Sequence, residues 1–273
     1  MGSATIFDAD IIKKVMGYTY MTDTFMNKAF NKPVAEHILS VILERKLTVL
    51  SVETQHDVGN LFGRGCRFDV WAVDDNGVRY NIEVQNANEG ADPKRARYNV
   101  ERADSEVIAK STDYKKFPEL YVIMITKEDV LQKGLPIYHV ERYIKETMTP
   151  FGDAEHVIYV NGSAKDANTP LGQLMRDMQE PDASKIDCPE LASRMVEIKH
   201  GEEITTMCQE LQEERLKGIE KGIEKGIEKG VAETQFKCVK DVVEGFHVSI
   251  DEAFEKLHIP EENRDAIRKK LNM

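Results

Sequence analysis

"FDVWAVDDNGVRYNIEVQ", from Phe68 to Gln85, carries the clearest structural signal in the chain. Its two halves alternate between apolar and polar residues, which is typical of β-strands, and "DDNG" separates them. An Asn-Gly pair between two such runs predicts an antiparallel hairpin with a type I′ turn. The second strand buries alternate apolar residues and therefore places Asn81, Glu83 and Gln85 together on its other face.

The hairpin brings a second carboxylate level with Glu83. Asp69 lies five residues before "DDNG" and Glu83 lies six after it, so antiparallel pairing predicts that the two side chains share a face at a similar height. Two such carboxylates can chelate Mg²⁺, which prefers hard oxygen ligands and can activate a water molecule. A solvated polar face would explain the same alternation without any chemistry. Spacing alone leaves both interpretations open.

The flanking segments complete an α/β pattern. A helix from about Pro33 and a strand in "TVLSVETQ" precede the hairpin. A helix in "KRARYNVERADSEVIAKS" follows it, and then comes "ELYVIMIT", an apolar run typical of a strand covered on both faces. "PIYHVERYI" and "HVIYVNG" indicate further strands. This order predicts a small mixed sheet with helices packed on it.

The charge is unevenly distributed. The net charge of −11 argues at first against a nucleic-acid partner, because phosphate-binding proteins usually carry a basic excess. Residues 180–214, however, hold ten acids and three bases, a local charge of 3 − 10 = −7, and residues 215–240 hold seven bases and four acids, a local charge of 7 − 4 = +3. A cleavage site can therefore be locally basic in this chain.

The C-terminal part contains a four-residue repeat, "RLKGIEKGIEKGIEKGV". In a helix, a four-residue step places its isoleucines on one slowly drifting stripe. Its glycines cost about 1 kcal/mol each relative to alanine, so we expect the helix to need a partner. The remaining tail, from Thr234, predicts three short helices, the last one starting near Pro260.

The composition excludes some other classes. No apolar run approaches the roughly 20 residues that span a bilayer, and the first residues lack the apolar core of a signal peptide, so we expect a cytoplasmic protein without a membrane partner. The four cysteines and seven histidines are scattered without zinc-finger spacing. We therefore expect reduced thiols and no zinc site.

Three segments together resemble a known family. "MTDTFMNKAF", the hairpin, and "RARYNVERADSEVIAKSTDYKKFPELYVIMIT" are similar in sequence and order to the PD-(D/E)XK nuclease family transposases, in the recombination-promoting nuclease group. The likeness covers about Tyr20 to Gly162. It implies an α/β restriction-endonuclease-like core of αβββαβ order with a helical C-terminal extension. It also implies a metal-dependent DNA endonuclease using Mg²⁺ or Mn²⁺, in recombination or mobile-element biology.

The resemblance assigns roles to three hairpin residues. Asp69 matches the first metal-binding aspartate of the family, and Glu83 matches the acidic residue of its D/E-x-K element. Gln85 stands where the wider superfamily has lysine. A lysine stabilises negative charge on the phosphate, whereas an amide can only orient water or donate a neutral hydrogen bond. An inactive DNA-binding or interaction module with the same fold is therefore the alternative.

The missing cation and a third metal ligand have candidates outside the hairpin. The next helix offers Lys94, Arg95 and Arg97, and among these Lys94 or Arg97 is favoured as the catalytic cation. Glu36 on the first core helix matches a position where this superfamily often has an acidic metal ligand. An exposed helical glutamate is the competing interpretation of Glu36.

Four segments are expected along the chain: a nuclease-like domain at 1–165, an acidic helical connector at 166–214, the repeat helix at 215–233 and a small helical tail at 234–273. The expected partners are DNA and a second copy of the chain, which would pair through the C-terminal helix.

Overall fold

A computed structural model describes residues 7–59, 65–86, 88–107 and 113–271. The chain divides into two compact units, Met1–Cys208 and Gln209–Met273. The α-helices of the described ranges are α1 (Ala9–Met16), α2 (Asp23–Ala29), α3 (Lys32–Ile42), α4 (Pro93–Val107), α5 (Pro170–Asp177), α6 (Pro189–His200), α7 (Glu203–Phe246), α8 (Ile250–Lys256) and α9 (Glu261–Leu271). The strands are β1 (Val49–Val58), β2 (Cys66–Asp74), β3 (Arg79–Gln85), β4 (Leu120–Thr126), β5 (Ile137–Val140), β6 (Tyr143–Ile144), β7 (Thr149–Pro150) and β8 (Glu155–Asn161).

A mixed sheet forms the centre of the first unit. Its six strands have the order β1-β2-β3-β4-β8-β5, while β6 and β7 pair separately. Strands β1 to β3 are antiparallel, β4 lies parallel to both β3 and β8, and β5 is an antiparallel edge strand. The succession α3, β1, β2, β3, α4 and β4 confirms the predicted αβββαβ order of a restriction-endonuclease-like fold. The predicted end of α4, residues 108–111, lies outside the described residues.

The β2–β3 hairpin forms, but its turn is not type I′. A type I′ turn needs positive φ at both central residues, and Asn76 is not among the residues with positive φ. Instead, the Gly77 amide donates to the Asp74 carbonyl at 3.1 Å, and Gly77 itself takes φ of 79°. The buried Asp74 carboxylate then accepts the Asn76 and Val78 amides, both at 2.9 Å. The Asp74 side chain explains the turn type, because it accepts hydrogen bonds from two backbone amides of the loop.

Both faces of the central strands are buried. Helix α4 packs Ala96 and Val100 against Trp71, Val122 and Met124 on one face. On the other face the apolar side chains of β3 are buried as the alternation predicts. The face that carries Glu83 is therefore covered by a helix and is not a solvated sheet surface.

Helices α5 and α6 belong to the first unit, although the sequence predicts a separate connector at 166–214. Helix α6 packs on α2 and α3. The Tyr20 hydroxyl donates to the Leu191 carbonyl at 2.7 Å, and the Lys199 ammonium donates to the Met16 carbonyl at 2.7 Å. Burial lowers the pKa of Lys199 to about 8. Acidic residues line the exposed side of this segment while its apolar side fills the core.

The second unit consists of the distal part of α7 with α8 and α9. A cluster of buried residues closes it: Val239, Ala253, Phe254, Ile259 and Ile267. The 44 residues of α7 include the predicted repeat helix and the first of the three predicted tail helices, and α9 begins directly after Pro260. Ile219, Ile223 and Ile227 are 51, 58 and 62% exposed. In the described ranges, the chain has no helix with the length and apolar character that crossing a bilayer requires.

Candidate active site

The hairpin register places Asp69 beside Glu83. Val70 pairs with Ile82, and one further step of the antiparallel register sets Asp69 opposite Glu83. The Val84 amide donates to Asp69 Oδ2 at 3.0 Å, and the Asp69 amide approaches Glu83 Oε1 at 3.4 Å. Each carboxylate thus accepts a hydrogen bond from the backbone of the opposite strand. The structure brings together the two residues that the sequence predicts as metal ligands.

Burial and mutual repulsion make this pair of carboxylates costly to ionise. Burial raises the pKa of Asp69 to about 6; the Val84 amide opposes this increase, and the negative charge of Asp23 adds to it. Burial, followed by the charge of Asp69, raises the pKa of Glu83 to about 8. Functional sites frequently contain two neighbouring acids whose charged forms are disfavoured.

Asn81 and Glu83 are both fully buried under α4. Neither the oxygen nor the nitrogen of the Asn81 amide makes a hydrogen bond of good geometry with a described residue, although its proximity lowers the pKa of Glu83. A buried amide without a hydrogen bond of good geometry costs free energy, so the position of Asn81 next to the carboxylates is a second sign that this face is not built for stability alone.

Gln85 reaches the same carboxylate pair from the end of β3. Its Nε2 lies 3.5 Å from Asp69 Oδ2, at the limit of a hydrogen bond. Gly90 packs against its side chain so closely that a Cβ at position 90 would lie 1.7 Å from Gln85 Oε1. The glycine therefore leaves the space in which the Gln85 amide turns toward Asp69.

Arg95 is the cation that reaches the carboxylates. Its Nη2 lies 3.0 Å from Glu83 Oε2, and 42% of its side chain remains exposed. Lys94 and Arg97 are exposed, and neither forms an ion pair with a described residue. The preference for Lys94 or Arg97 is thus not supported by the contacts. The helical period could have identified Arg95, because it lies one turn before Asn99 and flanks the buried stripe of α4.

Asp23, in the first turn of α2, is a carboxylate that the sequence analysis did not select. It is exposed and close enough to Asp69 for its charge to raise the pKa of that residue. One turn later, Asn27 accepts a hydrogen bond from Gln55 Nε2 at 2.7 Å, and Gln55 belongs to β1, which pairs with the strand that carries Asp69. The motif "MTDTFMNKAF" contains both residues and could have drawn attention to them.

Glu36 is not brought to this site, and its prediction as a metal ligand is corrected. Its Oε2 accepts the Val49 amide at 2.9 Å, and Val49 pairs with Asp74 at the turn end of β2. Five residues of extended strand, about 17 Å, separate Asp74 from Asp69. The carboxylate caps the first amide of β1, because α3 crosses the sheet at the turn end of the hairpin.

The donor set suits a hard divalent cation. The carboxylates of Asp69 and Glu83 and the amide oxygen of Gln85 are oxygen ligands of the kind that Mg²⁺ and Mn²⁺ prefer. A cation would favour the charged forms of Asp69 and Glu83, which burial disfavours most and a neighbouring carboxylate disfavours further. The residues present therefore fit such an ion.

A comparison with models of known protein families identifies the family of the chain. The family model of the PD-(D/E)XK nuclease family transposases matches residues 24–164, slightly more than half of the chain. No curated protein and no solved structure matches the chain. The matched range includes the hairpin, α4 and the strands that follow, which are the elements that hold Asp69, Glu83 and Arg95. The chain belongs to the PD-(D/E)XK nuclease family transposases.

Proposed function

We propose that the protein is an endonuclease that hydrolyses phosphodiester bonds in DNA with a divalent metal ion, Mg²⁺ or Mn²⁺. The observation that carries this proposal is the buried pair Asp69 and Glu83, whose raised pKa values mark a place where negative charge is disfavoured without a cation. Family membership supplies the reaction class, and recombination of mobile elements is the proposed biological context.

Asp69 and Glu83 would hold the ion, and Asp23 adds negative charge near Asp69. When bound, such an ion would polarise a phosphate and lower the pKa of a water molecule. The other catalytic roles would be performed by residues of the protein. Asp69 is fixed by the Val84 amide, which holds its carboxylate in one orientation. The Gln85 amide, next to Asp69, orients the attacking water.

Arg95 supplies the positive charge that a lysine provides in the wider superfamily. It pairs with Glu83 at 3.0 Å while almost half of its side chain is exposed, so its guanidinium can exchange the carboxylate for a phosphate oxygen. Lys94 and Arg97, on the exposed side of the same helical turns, would contact the DNA backbone farther along. These contacts predict binding that weakens as salt is raised.

Plasmid nicking tests the proposal. The wild-type chain should convert supercoiled DNA to the open circle with Mg²⁺ or Mn²⁺ and should lose this activity in EDTA. Asp69→Asn and Glu83→Gln should each remove cleavage, while Asp75→Asn, an exposed aspartate in the hairpin turn, should leave it unchanged. Equal nicking by the wild type and Asp69→Asn would contradict the proposed site.

A binding module without catalysis is the second candidate. Two features favour it: Gln85 stands where the wider superfamily has lysine, and Arg95 forms an ion pair with Glu83 at 3.0 Å. Calorimetry with Mn²⁺ separates the candidates. A nuclease should bind Mn²⁺ with an affinity that falls in Glu83→Gln, whereas an inactive module should bind DNA and take up no metal at this site.

We further propose that two copies of the chain pair through α7. Ile219, Ile223 and Ile227 expose more than half of their surface, which is unfavourable for a stripe of apolar side chains in water. The glycines of the repeat have no atoms within 4 Å of an added Cβ, so a second helix backbone could approach closely. A symmetric dimer would supply one active site for each DNA strand.

Sedimentation of the full chain tests the pairing. Ile223→Lys and Ile227→Lys together should convert the dimer to a monomer, because they introduce like charges into the stripe. Glu224→Lys, which changes charge next to the stripe, is the matched control and should stay dimeric. A wild-type chain that sediments as a monomer would contradict this proposal.

A further inference from the structure

Three metal-ligating side chains meet on the first unit, away from the carboxylate pair. His37 belongs to α3, Cys188 is the N-cap of α6, and Glu190 lies in the first turn of α6. Their donor atoms all lie within 4.8 Å of one another. His37 Nδ1 is 3.9 Å from Glu190 Oε2, and Cys188 Sγ is 3.3 Å from the same oxygen. In the described ranges this is the one such group of three.

These distances are close to those of a metal coordination shell. Donors bound tetrahedrally to Zn²⁺ at about 2.0 to 2.3 Å lie roughly 3.3 to 3.8 Å apart. The two measured separations, 3.3 and 3.9 Å, require only small side-chain movements to reach that range. One sulfur, one imidazole nitrogen and one carboxylate oxygen form a set that suits Zn²⁺ better than Mg²⁺, which prefers oxygen ligands alone.

The thiol is held in position by a buried carboxylate. Asp177 is 2% exposed, and its two oxygens accept the Asp187 amide at 3.2 Å and the Cys188 amide at 2.8 Å. Tyr20 fixes the next part of α6 through its bond to the Leu191 carbonyl. The start of α6 is thus ordered independently of any ion, and a site with ordered ligands loses little entropy on binding.

A solvent-accessible space lies in front of this group. A cavity of about 720 Å³ is lined by His37 and Glu190 and also by Asp75 and Asn76 of the hairpin turn. Glu36 lines it too, but its carboxylate is occupied by the Val49 amide. The cavity provides an entry path for an ion and room for a water molecule as a fourth ligand.

We propose that His37, Cys188 and Glu190 bind a Zn²⁺ ion, with one coordination position open to this cavity. On binding, the Cys188 thiol becomes a thiolate, its proton passes to solvent, and a metal–sulfur bond replaces the S–H···O contact with Glu190. The ion would join α3 to α6. It would be separate from the proposed nuclease ion, because Asp69 lies six residues of β2 and turn from Asp75.

Cobalt spectroscopy of the full chain tests the proposal. Co²⁺ replaces Zn²⁺ in such sites, and a thiolate ligand adds a charge-transfer band in the near ultraviolet. The wild type should show this band with about one equivalent of Co²⁺, and Zn²⁺ should remove it. Cys188→Ser should abolish the band, whereas Cys208→Ser, a buried cysteine elsewhere, and Asp69→Asn should keep it.

A second variant guards against misfolding of Cys188→Ser. His37 is about one-third exposed, so His37→Gln should leave the circular dichroism of the chain unchanged and lower Co²⁺ affinity at least about 10-fold. A wild-type chain without the thiolate band would overturn the proposal. So would a band that survives in Cys188→Ser, or a His37→Gln variant with wild-type affinity.

Discussion

Strand β3 buries a charged residue, whereas helix α7 exposes apolar residues. On β3, Glu83 is a charged residue with none of its surface exposed. On α7, Ile227 is an apolar residue with 62% of its surface exposed. Charged residues are almost never fully buried unless they are paired, and apolar stripes of this length are usually covered.

This contrast corresponds to the two binding partners proposed above, a metal ion at β3 and a second copy of the chain at α7. Glu83 has one arginine partner but remains difficult to ionise, as the proposed metal site would require. The isoleucines of the α7 repeat are more than half exposed among the described residues, as the proposed pairing of two copies would require. The two proposals concern different regions, so perturbing each region should have distinct effects on activity and on stability.

The largest effect is expected from Asp69→Asn. Cleavage of plasmid DNA should fall about 100- to 1,000-fold, as for loss of a main group that stabilises charge in an active site. In the absence of divalent metal, the melting temperature should rise, because the variant replaces a buried carboxylate, whose charged form burial disfavours, by a neutral amide. Thermal unfolding in EDTA measures this effect, and a lower melting temperature would contradict the proposed cost of burying this carboxylate.

The pH dependence of stability provides the next test. The folded-state pKa values, about 6 for Asp69 and about 8 for Glu83, lie above the usual values for these acids. Their contribution to stability is therefore full below about pH 4 and is lost as pH rises toward 8, by a few kcal/mol.

Urea unfolding of wild type and Glu83→Gln in EDTA should reveal this loss as a difference that grows between pH 4 and pH 8. Added Mg²⁺ should reduce the difference in the wild type, because the ion stabilises the charged carboxylates. Parallel pH profiles for the two proteins would contradict the assigned pKa values.

Arg95→Ala should have a smaller effect on catalysis. We expect a decrease in cleavage rate of about 10- to 100-fold, similar to the loss of a group that supports a metal ligand. Lys94→Ala and Arg97→Ala are matched controls on the same helix and should lower the rate by less than Arg95→Ala. If either control loses more activity than Arg95→Ala, the contact at 3.0 Å does not identify the working cation.

A pair of glycine substitutions should give the smallest effects. Gly90→Ala should displace the flexible Gln85 side chain, slowing cleavage several-fold with little change in stability. Gly245→Ala, in α7 but outside the four-residue repeat, meets open space and should stabilise the second unit by up to about 1 kcal/mol without changing cleavage. Unfolding and nicking assays on both variants would distinguish a glycine that shapes the active site from one that only weakens a helix.

The sequence predicted the sheet and the carboxylate pair because both depend on local patterns. The alternation of β2 and β3 and the short connection between them set the register, and the register sets the neighbours of Asp69. The turn type was wrong because the side chain of Asp74, and not the Asn-Gly pair, organises the loop. Local dihedral preferences carry no information about such a buried carboxylate.

The positions of the residues that the sequence did not predict correctly are determined by how their helices pack on the sheet. Arg95 contacts Glu83 because α4 packs through Ala96 and Val100, and this rotation is set by the sheet beneath it. Asp23 lies on a seven-residue helix, too short for a convincing period. Glu36 was assigned by analogy, but its helix crosses the other end of the hairpin.

Local sequence patterns also do not predict contacts between residues that are far apart in the sequence. The seven histidines and four cysteines show no zinc spacing, yet the fold brings His37 next to Cys188 across more than half of the chain. The acidic segment around α6 suggested an acidic helical connector, but Leu191, Met195 and Ile198 of this helix are completely buried. Composition averaged over a segment hides which of its faces is apolar.

The contacts between the N-terminal helices and α6 also determine when the protein can mature during synthesis. The bonds from Tyr20 to Leu191 and from Lys199 to Met16 join residues 171 and 183 positions apart. At translation rates of about 5 to 20 residues per second, α2 would wait roughly 10 to 40 s on the ribosome for its packing partner. Because α2 carries Asp23, we expect the nascent chain to be inactive on nucleic acid until α6 has emerged, and timed release of nascent chains into a nicking assay would measure that delay.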